Sequence, residues 1–194
     1  MKKIYLASAS PRRSKILSDA GFKFSVCPAD INENISSPSA SMLVRELSLL
    51  KAAEAAKSLR GRGLVIGADT VVAIGDKVLG KPLNKRHARL MLKLLSGRKH
   101  KVLTGVCVLD LKTGAAIAKC EESAVYFKKL TNREIREYVD TNEPMDKAGS
   151  YAIQEKGGAF VESVSGNFDN IIGFPMKTFN EILQEFENEK GETD

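Results

Sequence analysis

Short apolar runs separated by turn residues divide the chain into alternating strands and helices. Residues 3–8 carry Ile4, Tyr5 and Leu6 in weak alternation and predict a first strand. Ser10 followed by Pro11 has the form of an N-cap with proline at the first helical position, so a helix is expected to about Asp19, closed by Gly21. Residues 22–27 (FKFSVC) predict a short strand, followed by a polar loop through Asp30, Glu33 and Pro38. From 39 to 59, Met42, Leu43, Leu47 and Leu50 recur at helical spacing among alanines, and Gly61 and Gly63 stop that helix.

Residues 64–68 are a continuous apolar run, the pattern of a strand buried on both faces, expected to release Asp69 and Thr70 at its carboxyl end. Residues 71–74 and 77–79 predict a hairpin around Gly75-Asp76, ending in Gly80-Lys81-Pro82. Asn84 is expected to cap a helix through Leu95, stopped by Gly97. Two long strands, 100–111 and 115–127, flank Lys112-Thr113-Gly114. Thr131 and Glu134 have capping-box spacing and open a helix to about Val139. A glycine-rich stretch, 149–173, holds one apolar strand near 159–164, and Pro175 opens a last amphipathic helix. Mixing βα units with long hairpins predicts an α/β fold with a mixed rather than purely parallel sheet. One continuous domain over 1–194, with two lobes about a cleft, is the expected architecture.

Composition narrows the function classes. At 194 residues, 43% hydrophobic and 28% charged, the chain can bury a core without disulfides or zinc. Cys27, Cys107 and Cys120 are far apart and form no CxxC, so they are expected as reduced residues packed in strands. The absence of Trp and an aromatic share of 6% count against a single-strand-binding module. The apolar run 4–7 is too short for a signal peptide and nothing approaches a membrane span, so a soluble, cytoplasmic protein is expected. His87 and His100 stand in basic surroundings and are expected on the surface.

Four places could carry chemistry. Ser8-Ala9-Ser10-Pro11-Arg12-Arg13 sets two arginines in the first turn of a helix, where the backbone is already electropositive. That arrangement makes sense with an anion at the helix end, and phosphate suits the N–H groups, hydroxyls and guanidinium forks. Asp69, at the end of a buried strand, is placed to bind a divalent cation, to act as general base on a water, or to do both, or else to cap the next segment. Lys51, beside Ala52 and Ala53, and Lys81, beside Pro82, could meet a phosphate as point charges, and Glu33 and Asp30 are candidate metal ligands. Gln154 lies between glycine-bracketed segments, and its amide has the donor and acceptor needed to read a base edge. The P-loop, GxSxG and HExxH motifs are absent, and Gly61 to Gly67 misses the GxGxxG spacing.

Taken together, SASPRR at 8–13, GADT at 67–70, GKP at 80–82, SG at 96–97, TGV at 104–106, DKAGSYAIQ at 146–154 and GNFDNIIGFP at 166–175 resemble the Maf family of nucleoside triphosphate pyrophosphatases. The motifs run in order over most of the chain. The resemblance implies a fold like that of inosine triphosphate pyrophosphatases, a homodimer, and hydrolysis of a nucleoside triphosphate to monophosphate and pyrophosphate. It implies Asp69 as proton acceptor, and Arg12, Thr70 and Gln154 as determinants of substrate choice. Ser8, Arg12, Arg13, Lys51 and Lys81 are implied as phosphate contacts, and Glu33 with Asp69 as the residues for a divalent cation, Mg²⁺ or Mn²⁺. The AGSYAIQ form is similar to the branch acting on dTTP and UTP. Glu155 departs from the pattern, standing where a glycine is common, and Phe174 replaces the commoner Leu.

A different class of function is a nucleotide- or nucleic-acid-binding regulator of cell division or septum formation. The net charge of +6 permits it, but no nucleic-acid-binding motif supports it, so nucleic acid is not expected as a partner. The charge is also unevenly placed. Residues 181–194 hold six acids against Lys190, a net of −5, leaving +11 on the rest, with Lys2, Lys3, Arg12, Arg13 and Lys15 near the start.

Overall fold

The computed structural model describes residues 3–191. Lys2, Glu192 and Asp194, counted in the charge distribution above, lie outside the described residues.

The order of elements follows the expected mixture. Strand β1 (Lys3–Leu6) leads to helix α1 (Pro11–Asp19), β2 (Ser25–Val26) and α2 (Ala40–Lys57). Next come β3 (Gly63–Ile74), β4 (Lys77–Leu79), α3 (Lys85–Leu95), β5 (Lys99–Asp110) and β6 (Ala116–Phe127). Helix α4 (Asn132–Asp140), β7 (Val161–Ser165), α5 (Phe168–Ile172) and α6 (Met176–Gly191) complete the chain. The seven strands form one sheet in the order β2-β1-β3-β5-β6-β7, with β4 on β3. It is mixed, as expected: β1 runs parallel to β2 and β3, while β3–β4 and β6–β7 are antiparallel.

Helix caps are present where turn chemistry is local. Ser39 Oγ accepts from the Met42 N–H and Asn84 Oδ1 from the His87 N–H. Thr131 and Glu134 close a reciprocal capping box, at 3.2 Å and 2.7 Å. Asp110 closes the β5–β6 turn by accepting from the Lys112 N–H at 2.8 Å.

Three element assignments change. First, residues 22–27 supply only a two-residue strand, because Phe22 and Phe24 turn into the core; Phe22 meets Phe179 edge-on at 5.3 Å. Second, β3 does not break at 69–70 but continues to Ile74, so Asp69 lies inside a strand rather than at its end. Its carboxylate finds a partner across the sheet face, which removes the need for a turn. Third, the stretch 149–173 holds more structure than one strand. A short 3-10 turn at Ala148–Ser150 overlaps its start, another occupies Lys156–Phe160, and α5 follows β7; a further 3-10 turn, Glu143–Asp146, precedes the stretch.

The chain divides into two compact units, each with its own core. Among the described residues the first comprises 3–69, 104–121 and 173–191, the second 70–103 and 122–172. In the first, Leu64, Ile66 and Ala68 of β3 join Leu17, Val106, Phe174, Phe179 and Ile182 on one sheet face. Val65 joins Ala52, Ala55 and Cys107 on the other. Cover on both faces explains why the run 64–68 is uninterruptedly apolar. The three cysteines are thiols, as expected; Cys107 is buried in β5, and burial pushes its thiol up to about 12. Cys120 lies half-buried in β6, while Cys27 lies just beyond β2 rather than in a strand. Among the described residues no helix is long and apolar enough to cross a membrane.

In the second unit α3 and α4 pack Ala88, Leu92, Leu95, Ile135 and Val139 against Val102, Val125, Phe127 and Phe160. His100 belongs to this interior and not to the surface: it is 1% exposed, because it occupies an inward position of β5. Its ring meets Phe127 and Tyr151 edge-on, and its Nε2 shares a 2.8 Å hydrogen bond with the Tyr151 hydroxyl. His87 lies half-buried at the start of α3, with its Nδ1 accepting from the Leu83 N–H at 3.3 Å.

Burial lowers the His100 pKa to about 4, so between that value and the ordinary one near 6.5 the unfolded chain holds a proton that the folded chain does not. Stability from this group is therefore complete above about pH 6.5 and is lost as pH falls toward 4, by roughly 3 kcal/mol. Urea melts at pH 7 and pH 4.5 should show this loss, and His100→Phe should lose less over the same interval. An equal loss in both proteins would remove His100 as the cause.

Candidate active site

Strand register builds the site. Leu6 of β1 lies opposite Ile66 of β3, and the Ala7 N–H donates to the Ile66 carbonyl at 2.8 Å, so the chain leaves β1 at Ser8 beside residues 67–69 of β3. Asp69 is thus not at the end of its own strand but just beyond the carboxyl end of its parallel neighbour. That position is where open α/β sheets gather ligands.

Helix α2 lies unusually close to this face. A Cβ on Gly67 would stand 2.0 Å from the Ser48 carbonyl oxygen, and one on Gly105 2.0 Å from that of Val44. Only glycine at both strand positions lets the helix backbone descend that far. One turn beyond Ser48, Lys51 then reaches over β3 two residues beyond Gly67, where Asp69 stands. Its Nζ lies 2.6 Å from Asp69 Oδ1 and 2.7 Å from Glu33 Oε1, which comes from the loop before α2. The Lys51 and Asp69 side chains are 11% and 10% exposed, whereas Glu33 is half exposed.

Beside this cluster, Ser8 is buried after β1 and its Oγ accepts from Arg13 Nη1 at 3.1 Å and from the Ser10 N–H at 3.2 Å. Arg13 also donates through Nε to the Gly173 carbonyl at 3.0 Å. Burial lowers its pKa, the Asp69 carboxylate opposes that shift, and the Arg12 charge adds to it. A guanidinium starts from so high a value that it keeps its charge. Ser10 stands at the N-cap as predicted but makes no side-chain capping bond, so its hydroxyl does not occupy the first-turn N–H groups of α1.

The structure thus brings Ser8, Arg13, Glu33, Lys51 and Asp69 together in the first unit, with Arg12 half-buried next to Arg13. Asp30 is exposed in the loop that carries Glu33. The remaining predicted residues belong to the second unit. Thr70 is half-buried in β3, Lys81 is exposed after β4, and Gln154 is exposed in the turn before Lys156–Phe160. The Gly149 N–H donates to the Gly80 carbonyl at 3.0 Å, which sets the segment leading to Gln154 beside the one carrying Lys81. Among the described residues no group of three or more His, Cys, Asp or Glu converges as a ready metal cage.

A family model described as Maf-like protein matches residues 3–186. The chain belongs to the Maf family. It is 44% identical over 187 residues to a protein named dTTP/UTP pyrophosphatase from Desulforamulus reducens, covering 96% of this chain and 97% of that one. A Thermoanaerobacter sp. protein of the same name is 45% identical over 186 residues, covering 95% and 97%. Among solved structures, a HAM1 protein from Coxiella burnetii superposes with a TM-score of 0.52 at 17% identity, over 95% of this chain and 100% of that one. That likeness extends to the fold alone.

The glycines at 67 and 105 are the part of this Maf site that sequence reasoning missed. Both lie inside long strands, and a glycine in a strand interior is itself a signal of close backbone approach. Replacing Gly67 or Gly105 by alanine should destabilise the protein by about 2 kcal/mol or more in urea melts, since α2 must move away from the sheet. Gly80→Ala, where nothing lies within 4 Å, should be close to neutral and serves as the control.

Proposed function

We propose that this protein is a nucleoside triphosphate pyrophosphatase that hydrolyses dTTP and UTP between the α and β phosphates. The observation that carries the reading is the clustering of Asp69, Lys51 and Glu33 beside Ser8 and Arg13. The names of its 44–45% identical relatives support the same substrates.

A triphosphate brings about four negative charges, which must meet cations and N–H donors before water can attack. The first-turn N–H groups of α1 and the guanidinium of Arg12 take one part of the chain of phosphates, while Arg13, held by Ser8 and Gly173, keeps positive charge beside them. Lys81 is a further phosphate contact on the strength of the GKP motif that carries it. Asp69 accepts the proton of the attacking water as the bond to the α phosphorus forms and pyrophosphate leaves. Lys51 shares its one positive charge between Asp69 and Glu33. With substrate present its ammonium turns to a phosphate oxygen and frees the Asp69 carboxylate to act as base.

The donor set suits a hard divalent cation. Glu33 and Asp69 are oxygen donors that already share one positive charge, and Mg²⁺ commonly takes one or two carboxylates with the rest of its shell from phosphate and water. When bound, such an ion screens phosphate charge and lowers the pKa of a coordinated water. Thr70 and Gln154 select the base together with Arg12, on the strength of the family motifs that carry them. The same resemblance supports a homodimer with a housecleaning role in the cytoplasm.

Asp69→Asn should lower kcat on dTTP by 100-fold or more, on the order expected for losing a general base, while nucleotide affinity is retained. Wild-type turnover would remove Asp69 from the mechanism. Gln154→Ala should narrow the gap in kcat/KM between dTTP and other nucleotides, and an unaltered profile would reject its role. Identifying the product as pyrophosphate rather than orthophosphate checks which bond is cut.

A further inference from the structure

An exposed amide discriminates between bases only if the backbone carrying it is held still. Gln154 lies in an exposed turn, yet side chains from outside that turn hold it on both flanks. Upstream, Tyr151 is 6% exposed; its hydroxyl is bonded to His100 at 2.8 Å and its ring lies edge-on to Phe127 at 4.7 Å. The two residues before it, Gly149 and Ser150, both have positive φ, 65° and 66°. Serine keeps that conformation only where its surroundings impose it. Ser150 is fully buried, with its hydroxyl on Met91 Sδ at 3.1 Å.

Downstream, one carboxylate gathers three donors. Glu143 accepts from the Lys156 N–H at 3.2 Å, from the Gly157 N–H at 3.0 Å and from the Tyr138 hydroxyl at 2.9 Å. It therefore caps the 3-10 turn that begins two residues after Gln154. A Cβ on Gly157 would stand 2.6 Å from the Tyr138 hydroxyl, so this contact leaves no room for another residue. Lys147, whose side chain is 8% exposed, lies 2.5 Å from Asp146 and 3.6 Å from Glu155, the residue next to Gln154. Glu155, the departure from the family pattern, thus braces the turn from a third direction.

We infer that Glu143 and the His100–Tyr151 pair are positioning residues for base selection, fixing the turn that presents Gln154. This rests on the proposed base-reading role of Gln154. Neither group touches substrate in this assignment; each acts through the backbone of residues 151–157.

The test uses the full chain with Mg²⁺ and compares kcat/KM for dTTP and UTP with that for CTP and ATP. Tyr151→Phe removes one hydroxyl and Glu143→Gln keeps shape while weakening the cap. Each should reduce the ratio of preferred to other nucleotides about fivefold, mainly through KM for the preferred ones. In a Gln154→Ala background neither should reduce the ratio further. An equal loss for all four nucleotides, or an additional loss of ratio in the Gln154→Ala background, would make these contacts structural and overturn the inference. A ratio lost in Gln154→Ala but kept in both flanking variants overturns this inference alone. A ratio already unchanged in Gln154→Ala overturns the reading of Gln154 itself.

Discussion

The contact on which the site depends is the descent of α2 onto the sheet at Gly67 and Gly105. Two hypothetical Cβ atoms, each 2.0 Å from a helix carbonyl oxygen, define how close the helix lies. A core packed to organic-crystal density cannot absorb an added methyl there without moving the helix. The height of α2 in turn sets where Lys51 ends. A lysine on a helix one residue's width further away could still reach solvent, but it would not be held 2.6 Å from a carboxylate inside a strand.

That carboxylate is an expensive thing to bury. Asp69 is 7% exposed, and taking it from water costs several kcal/mol unless charge and hydrogen bonds are supplied nearby. Lys51 supplies the partner, with Glu33 sharing the same ammonium, and Arg13 adds a fixed positive charge tied to Ser8 and Gly173. The arrangement is less a stabilising salt bridge than a set of charges held ready. An apolar trio of similar volume would hold the fold as well or better. A cluster retained despite that cost fits a site that must meet phosphate.

Much of the element order was legible because its signals are local. Ser39, Asn84 and Thr131 cap the helices that their spacing predicts, and Asp110 to Gly114 turn the long hairpin. The failures share one cause. The break expected after Asp69, the strand expected through Phe22 and Phe24, and the surface position expected for His100 were each judged from residue character alone. Each was decided by a partner distant in sequence: Lys51, Phe179 and Tyr151. The 3-10 turns at Ala148–Ser150 and Lys156–Phe160 were illegible for the same reason, since Met91 holds the Ser150 hydroxyl and Glu143 accepts from the backbone of Lys156 and Gly157.

By itself, then, the sequence determined the mixed α/β order, the capped helices, the ordered motifs from Ser8 to Pro175, and the residue types able to meet phosphate. Periodicity, capping and motif spacing are written in neighbouring residues. Only the tertiary structure decided that Asp69 lies inside β3, that Lys51 joins it to Glu33, and that His100 is a core residue anchoring Tyr151. Those outcomes depend on how near α2 comes to β3 and on which side chains fill the second core, distances that no single stretch of chain encodes.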